Sequence, residues 1–318
     1  MTLNLRPFAS ADYPAFAALH NKIHTDAPES VRELKHFFAT FQDDLLVWDV
    51  LEAPDQTGLT AACFARKDQM GEGQVRFDLY LEPAKWETTL KEKLYAALIE
   101  RVAEYGPTAL TTNIREDWRA WTRFYEGKGF VETERQWESR LDLTTFEATP
   151  FAWATQKAAA AGVTFKTWAD LPSTEETQHL LYTTIAQELL PDVPFSEPLN
   201  IWPFETWLER VWHNPYRAAN GTFLAFAGDE LVGISELFTT DDRAKFTTGL
   251  TAVKRAYRRQ GIAQSLKLKA AEYARMAGGE SLLTTNHSVN RPMLAINEAI
   301  GFEKFPAWLR LKKGGDKL

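Results

Sequence analysis

Arg258-Arg259-Gln260-Gly261-Ile262-Ala263 stands between a strand-like run ending at Ala252-Val253 and a run whose apolar residues, Ile262, Leu266, Ala270, Tyr273 and Ala277, recur at three- and four-residue steps. A tight turn carrying Arg and Gly therefore opens directly into a helix N-terminus. That geometry aims several backbone N–H groups and the positive end of the helix dipole at one point outside the chain, where an anion, and specifically a diphosphate, belongs. Glycine at 261 and the small Ala263 are expected to let the backbone approach the phosphates closely.

Downstream, Ser281-Leu282-Leu283-Thr284-Thr285-Asn286 reads as the next strand, and Asn290 to Ile300 as a helix that leaves through Gly301-Phe302. Arg258-x-x-Gly261-x-Ala263 after a strand ending in Val253, followed by these elements, resembles the acyl-CoA pyrophosphate loop and second helix of the GCN5-related N-acetyltransferases, the GNAT superfamily.

The 318-residue length makes two domains the default expectation, and 45% hydrophobic with 25% charged residues is the composition of a folded globular chain. A net charge of −7 disfavours non-specific nucleic-acid binding. Cys63 is the single cysteine, so no intrachain disulfide can form and a reducing, cytoplasmic setting is expected; its apolar surroundings make it a buried thiol. Met1 to Arg6 has no long apolar core and no stretch resembles a membrane span, so neither a signal peptide nor a membrane partner is expected. His20 and His24 stand at helical spacing, but without a third ligand they read as surface residues, and no metal is expected.

A repeat organises the whole. Leu110-Thr111-Thr112-Asn113 is followed by Gly129-Phe130, and Leu283-Thr284-Thr285-Asn286 by Gly301-Phe302, with helices before and after each tetrapeptide. The fold class expected is α/β (α+β): two tandem GNAT folds, each a mixed, mostly antiparallel twisted sheet flanked by helices. Residues 1–146 form the first copy, 147–161 a linker with a connecting helix, and 162–318 the second copy. The first copy has Pro83-Ala84-Lys85-Trp86-Glu87-Thr88-Thr89 where the second has its phosphate turn, side chains that would crowd and repel a diphosphate. It is expected to bind no CoA. In the family, this tandem layout resembles mycothiol synthase, a likeness of architecture that leaves the acceptor open.

The resemblance assigns roles. Backbone amides of Arg259, Gln260, Gly261, Ile262 and Ala263 would cradle the diphosphate of acetyl-CoA, with Arg258 adding charge. Thr251, Ala252 and Val253 would pair with pantetheine, and the Val253 N–H would face the developing oxyanion. Asn286 and Asn290 could bond the pantetheine amides, and Asn290 could equally cap the helix before Pro292. Asn297 occupies the position of the family's usual tyrosine acid, and Thr247 that of its usual glutamate. Glu236, one strand back, is the candidate base, with a solvent-facing strand residue as the alternative. Lys267, Lys269 and Arg275 read as a solvated basic face. Trp202, Phe204, Trp207, Trp212 and Tyr216 are core or the lining of a pocket for a small amine. The function implied is transfer of acetyl from acetyl-CoA to a primary amine of a small molecule, by direct attack in the second copy, by a monomer. The alternatives are a non-catalytic CoA-binding or sensing protein, and an aminoacyl-tRNA-dependent transferase, which the acidity disfavours.

Overall fold

In the computed structural model, which describes residues 3–314 other than 56, 196 and 198, the sequence periodicities become the elements they imply. Met1, Thr2, Gln56, Ser196, Pro198 and residues 315–318 lie outside the described residues. In chain order the elements are β1 (Arg6–Pro7), α1 (Tyr13–Ile23), α2 (Val31–Ala39), β2 (Leu45–Glu52), β3 (Leu59–Lys67), β4 (Gln74–Leu81), α3 (Thr89–Ala103), β5 (Ala109–Arg115), α4 (Arg119–Gly127) and β6 (Val131–Asp142). The same order then recurs, after an added helix: α5 (Ala152–Ala160), β7 (Val163–Thr167), α6 (Glu175–Leu181), α7 (Phe204–Trp207), β8 (Phe223–Ala227), β9 (Glu230–Thr239), β10 (Lys245–Val253), α8 (Ile262–Met276), β11 (Ser281–His287), α9 (Arg291–Ile300), β12 (Glu303–Lys304) and β13 (Trp308–Gly314). Local chemistry sets the ends. Ser30 and Glu33 close a reciprocal capping box at the start of α2, with bonds of 3.1 and 2.7 Å. Thr174 caps α6, which continues as π-helical turns through Leu189. Gly301, at φ 105°, ends α9.

Two compact units form: Met1–Arg135 with Ala307–Leu318, and Gln136–Pro306. In the first, β1, β2, β3 and β4 pair antiparallel in that order, β4 pairs β5 in parallel, and β5 pairs β13 antiparallel. The parallel pair is short. It runs Gln74↔Ala109, Val75↔Leu110 and Arg76↔Thr111, and beyond that the strands part. Phe16, Leu19, Leu34, Phe38, Val50 and Phe64 form the core between α1, α2 and the sheet. In the second unit the order is β7, β8, β9, β10, then β11 in parallel, then residues 136–142 of β6. Again the parallel pair covers three positions, Lys245↔Ser281 to Thr247↔Leu283, before the strands part.

The spatial division differs from the consecutive one expected from sequence. Each sheet takes its sixth strand from the other repeat: β6 follows the first copy in sequence but pairs β11 from Ser281↔Asp142 to His287↔Gln136, whereas β13 ends the chain and pairs β5 from Trp308↔Arg115 to Gly314↔Ala109. Residues 147–161, expected to be a linker with a connecting helix, hold α5, which packs on α8 through the fully buried Ala154 and Ala158.

A buried ion pair locks β13 into the first unit. Arg310 Nη2 lies 2.6 Å from Asp68 Oδ2, both side chains being almost inaccessible, and Thr111 Oγ1 donates to the same oxygen. Burial pushes the Asp68 carboxyl up, but the Arg310 charge and its hydrogen-bond donors overcome this and hold it below its ordinary value. Ending the chain at residue 306 is therefore expected to damage the amino-terminal unit, not the unit that residue 306 closes. Hydrogen exchange should show protection lost across Ala109–Arg115 and retained across Lys245–Val253; the opposite pattern would contradict the strand exchange.

Candidate functional site

β10 ends at Val253, where Lys254 N–H donates to Val232 C=O at 2.9 Å. Antiparallel strands alternate the edge to which successive N–H groups point, so the Val253 N–H faces away from β9, toward the parting between β10 and β11. Its carbonyl faces the same way and accepts from Arg258 Nε at 3.0 Å. This bond ties the following turn to the strand end. Within the turn Arg259 (φ 66°) and Gly261 (φ 81°) both take left-handed backbone, and Arg259 is the one non-glycine residue to do so among the described residues. Such a backbone turns successive N–H groups inward to form an anion-binding concavity. α8 has no side-chain cap, and its first bond is Ser265 N–H to Gly261 C=O at 2.9 Å. The N–H groups of Ile262, Ala263 and Gln264 are left open, as an anion site requires.

Glycine at 261 has a packing reason beside the one expected. A Cβ there would lie 2.5 Å from the Ala154 carbonyl oxygen of α5, so the residue answers to its positive φ and to a helix packed against it, apart from any ligand.

The cations of the turn have partners. Arg255 and Arg258 both bind Asp192, at 2.8 Å for Arg258 Nη2, and Lys254 binds Glu188 at 2.8 Å and Glu230 at 3.0 Å. Hydrogen bonds from Arg255, and the charges of Arg255 and Arg258, hold the Asp192 carboxyl below its ordinary value. Pairs this exposed contribute only about 0–1 kcal/mol each, so a phosphate can displace the carboxylates. Arg259 is the exception: it is exposed and makes no ion pair among the described residues.

Between Thr248↔Leu237 and Thr251↔Ser235 the β9–β10 register shifts, leaving Gly249 and Leu250 in a β-bulge. Glu236 fills it. Its Oε2 accepts from the Leu250 N–H at 3.0 Å, and its Oε1 accepts from Arg217 Nη2 at 2.9 Å. A Cβ at Gly249 would come within 2.7 Å of Glu236 Oε2, so the glycine makes room for the carboxylate. Arg217 lies over the Trp168 ring at 4.1 Å and also donates to Val211 C=O. Glu236 is thus neither a solvent-facing residue nor a free carboxylate: both oxygens are engaged. Truncating it to alanine would leave the Arg217 guanidinium buried and unpaired. Glu236→Ala is expected to cost about 3–5 kcal/mol in chemical denaturation, and Glu236→Ala with Arg217→Met markedly less.

Asn286, on β11 past the parting, accepts from Asn297 Nδ2 at 2.6 Å, while Asn297 Oδ1 is buried without a partner. An orphaned buried acceptor of this kind is where an amide N–H of a ligand fits. Asn290 accepts from Met293 N–H at 3.4 Å and caps α9, with Pro292 behind it. Thr251 Oγ1 bonds Ser235 Oγ at 2.9 Å. Thr251 to Val253 and Asn286 therefore stand on the two diverging strands, and Arg258 to Ala263 follow directly.

Lys267 departs from its expected place. It is fully buried on α8, with Nζ 5.2 Å from the Phe302 ring, and burial pushes its amine down to about 8. Lys269 lies over Phe165, whereas Arg275 near the helix end is exposed, as expected. Trp207 belongs to the core with Leu189 and Leu224, and Trp212 lies 5.2 Å from Trp168. Because the fold lowers the Lys267 pKa, the cost of its charge is fully present below about pH 8 and disappears as pH rises toward the unfolded value. Lys267→Met is expected to stabilise the protein at pH 7 by about 3 kcal/mol, a gain that shrinks through pH 8–10.5 when thermal unfolding is followed against pH.

The first unit makes a control within the same chain. Trp86 Nε1 donates to Leu81 C=O, five residues earlier, as Arg258 Nε does to Val253 C=O, so the turn is tied back in the same way without the charge. Two residues, Glu87 and Thr88, then lead into α3 where three lead into α8, and Thr88 Oγ1 accepts the Leu90 N–H. The helix start is capped by its own chain. β3 and β4 pair without a register shift, so the bulge is absent as well. Cys63 is buried, and burial pushes its thiol up to about 12. His20 and His24 are not surface residues. They stack at 4.3 Å, and burial, then His20, push His24 down to about 3. No group of three or more His, Cys, Asp or Glu able to hold a metal is found among the described residues, and none of their helices is long and apolar enough to cross a membrane.

Residues 183–302 match the model of the acetyltransferase (GNAT) family. Among solved structures, a tandem GNAT protein from the clavulanic acid biosynthesis pathway is similar at TM-score 0.75 and 19% identity, covering 98% of each chain. A GCN5-related N-acetyltransferase from Sphaerobacter thermophilus is similar at TM-score 0.73 and 17% identity, covering 99% of this chain and 97% of that one. No curated protein matches. These likenesses carry the tandem architecture and do not bear on the narrower resemblance to mycothiol synthase.

Proposed function

We propose that this chain, a member of the acetyltransferase (GNAT) superfamily, transfers an acetyl group from acetyl-CoA to a primary amine of a small molecule, using the unit formed by residues 136–306. The observation that carries this reading is the contrast between the two helix starts. In one, Arg259 and Gly261 bend the backbone around open N–H groups; in the other, Thr88 closes them.

Acetyl-CoA would supply an acyl thioester whose thiol, with a pKa near about 8.5, leaves readily without a strong acid. The N–H groups of Ile262 to Gln264 would hold its diphosphate, joined by Arg259 and by Arg258 once phosphate displaces Asp192. Asn297 Oδ1 would accept an amide N–H, and Asn286 fixes the orientation of Asn297 through their mutual bond. The Val253 N–H, directed at the parting of the strands, would stabilise negative charge on the acyl oxygen. Glu236 would have to give up the Leu250 N–H or Arg217 before taking a proton, so its ties favour holding the bulge over serving as the base. Asn297 cannot act as an acid, and Thr247 cannot act as a carboxylate base.

Those last features favour a second reading, a protein that binds acyl-CoA without turning it over. Calorimetry with acetyl-CoA, followed by assay of free-thiol release across a panel of primary amines, separates the two. Ala263→Asp tests the site itself. A carboxylate in the first turn of α8 favours the helix by about 0.3–1 kcal/mol and repels a diphosphate. The variant is expected to keep or raise its melting temperature and to lose CoA affinity at least 100-fold. Undiminished affinity would overturn the assignment, and binding without thiol release from any amine would favour the second reading.

A further inference from the structure

The first unit keeps the parting of its parallel strands, and a cavity of about 260 Å³ lies past the last pair, Arg76↔Thr111. Asp78 and Tyr80 line it from β4, Thr112 and Asn113 from β5, together with the indoles of Trp118 and Trp308, which meet edge to face at 5.7 Å. His24 extends the ring wall, 5.3 Å from Trp118 and 5.9 Å from Trp308. Burial pushes the His20 and His24 imidazoles down, which leaves Arg76, Asp78 and the titrating Glu29 as the charged side chains lining the cavity.

Among the described residues, Arg76 is incompletely satisfied. Arg76 Nε is buried without a hydrogen-bond partner, and the Asp78 carboxylate lies 3.8 Å from it, beyond hydrogen-bond reach. Arg66 stands directly opposite Arg76 on β3, which adds to the positive potential there. Burial, then Glu33, pushes the Glu29 carboxyl up to about 7, and its near neighbour is the His20 imidazole at 3.3 Å. One seat lacks an acceptor for a guanidinium N–H. The other offers carboxylates among aromatic faces, the surroundings that hold an organic ammonium.

We propose that this cavity is a binding site for a small zwitterion of the α-amino-acid class, its carboxylate on Arg76 and its ammonium among Glu29, Asp78 and the indoles. A simple amine would leave Arg76 Nε unmet, and a simple acid would sit beside two carboxylates with no cation to offset them. The volume falls just under the range of about 300–1,000 Å³ that suits drug-sized ligands, which excludes a CoA and fits a single amino acid. The site is separate from the helix start of α8 and does not depend on the transfer reading.

The test is calorimetric titration of the full chain with each common L-α-amino acid, then with the decarboxylated amine and the deaminated acid of the best binder. At least one amino acid is expected to bind saturably, with both analogues at least tenfold weaker. Arg76→Gln and Asp78→Asn should each weaken binding tenfold or more, while Ala263→Asp leaves it unchanged. No binding by any amino acid, equal binding by either analogue, or full affinity in Arg76→Gln would overturn the proposal. Should a variant fail to fold, the analogue comparison on the unaltered chain decides the matter.

Discussion

The Leu250 N–H sits in the bulge, outside the backbone ladder with β9, and the Glu236 carboxylate satisfies it. An unpaired buried N–H costs about 1–3 kcal/mol, so a bulge at this point requires a substitute acceptor. Glu236 supplies it and is held in turn by Arg217, itself set on Trp168. The bulge shifts β10 with respect to β9, and past it the strand has already left β11. Thr251 to Val253 are thereby given an edge with unused N–H groups, and the turn that follows starts from that edge.

The two units show what the turn adds to the scaffold. Strand order, the short parallel pair and the hydrogen bond from residue 86 or 258 back to the strand end are shared. What differs is small: one more residue before the helix, left-handed backbone at Arg259 and Gly261, and the absence of a side-chain cap. Thr88 stabilises its helix by closing the start, whereas α8 leaves it open and relies on tertiary packing, including α5 against Gly261. A helix start can be closed for stability or left open for an anion. The first unit closes its start with Thr88, and the second has no side-chain cap.

Exchange of the sixth strand binds the repeats by covalent connectivity. Residues 136–142 and 307–314 each complete a sheet begun elsewhere in the sequence. The Arg310–Asp68 pair makes this exchange specific, because Asp68 is buried and its charge requires that partner. Periodicity could place β6 and β13 as strands but could not say which sheet each joins, since alternation reports the faces of a strand and not its neighbours.

Much was legible in the sequence alone. Ser281–Asn286 and Asn290–Ile300 each lie within one residue of β11 and α9, because periodicity and flanking turn residues are local properties, and the Arg/Gly turn before a helix marked an uncapped helix start for the same reason. The repeated Leu-Thr-Thr-Asn carried the tandem order. The roles of Glu236, Lys267 and the two histidines were not legible: whether a polar side chain on a strand or helix meets water, a buried arginine or another ring depends on what packs over it from distant sequence. Gly249 was the one local sign of the bulge, a glycine inside an alternating strand. Sequence determined the elements, the repeat and the open helix start, all of which follow from backbone geometry over a few residues. Only the tertiary structure decided the partners of the buried charges and the exchange of strands, because the desolvation that governs them exists only once the chain has folded.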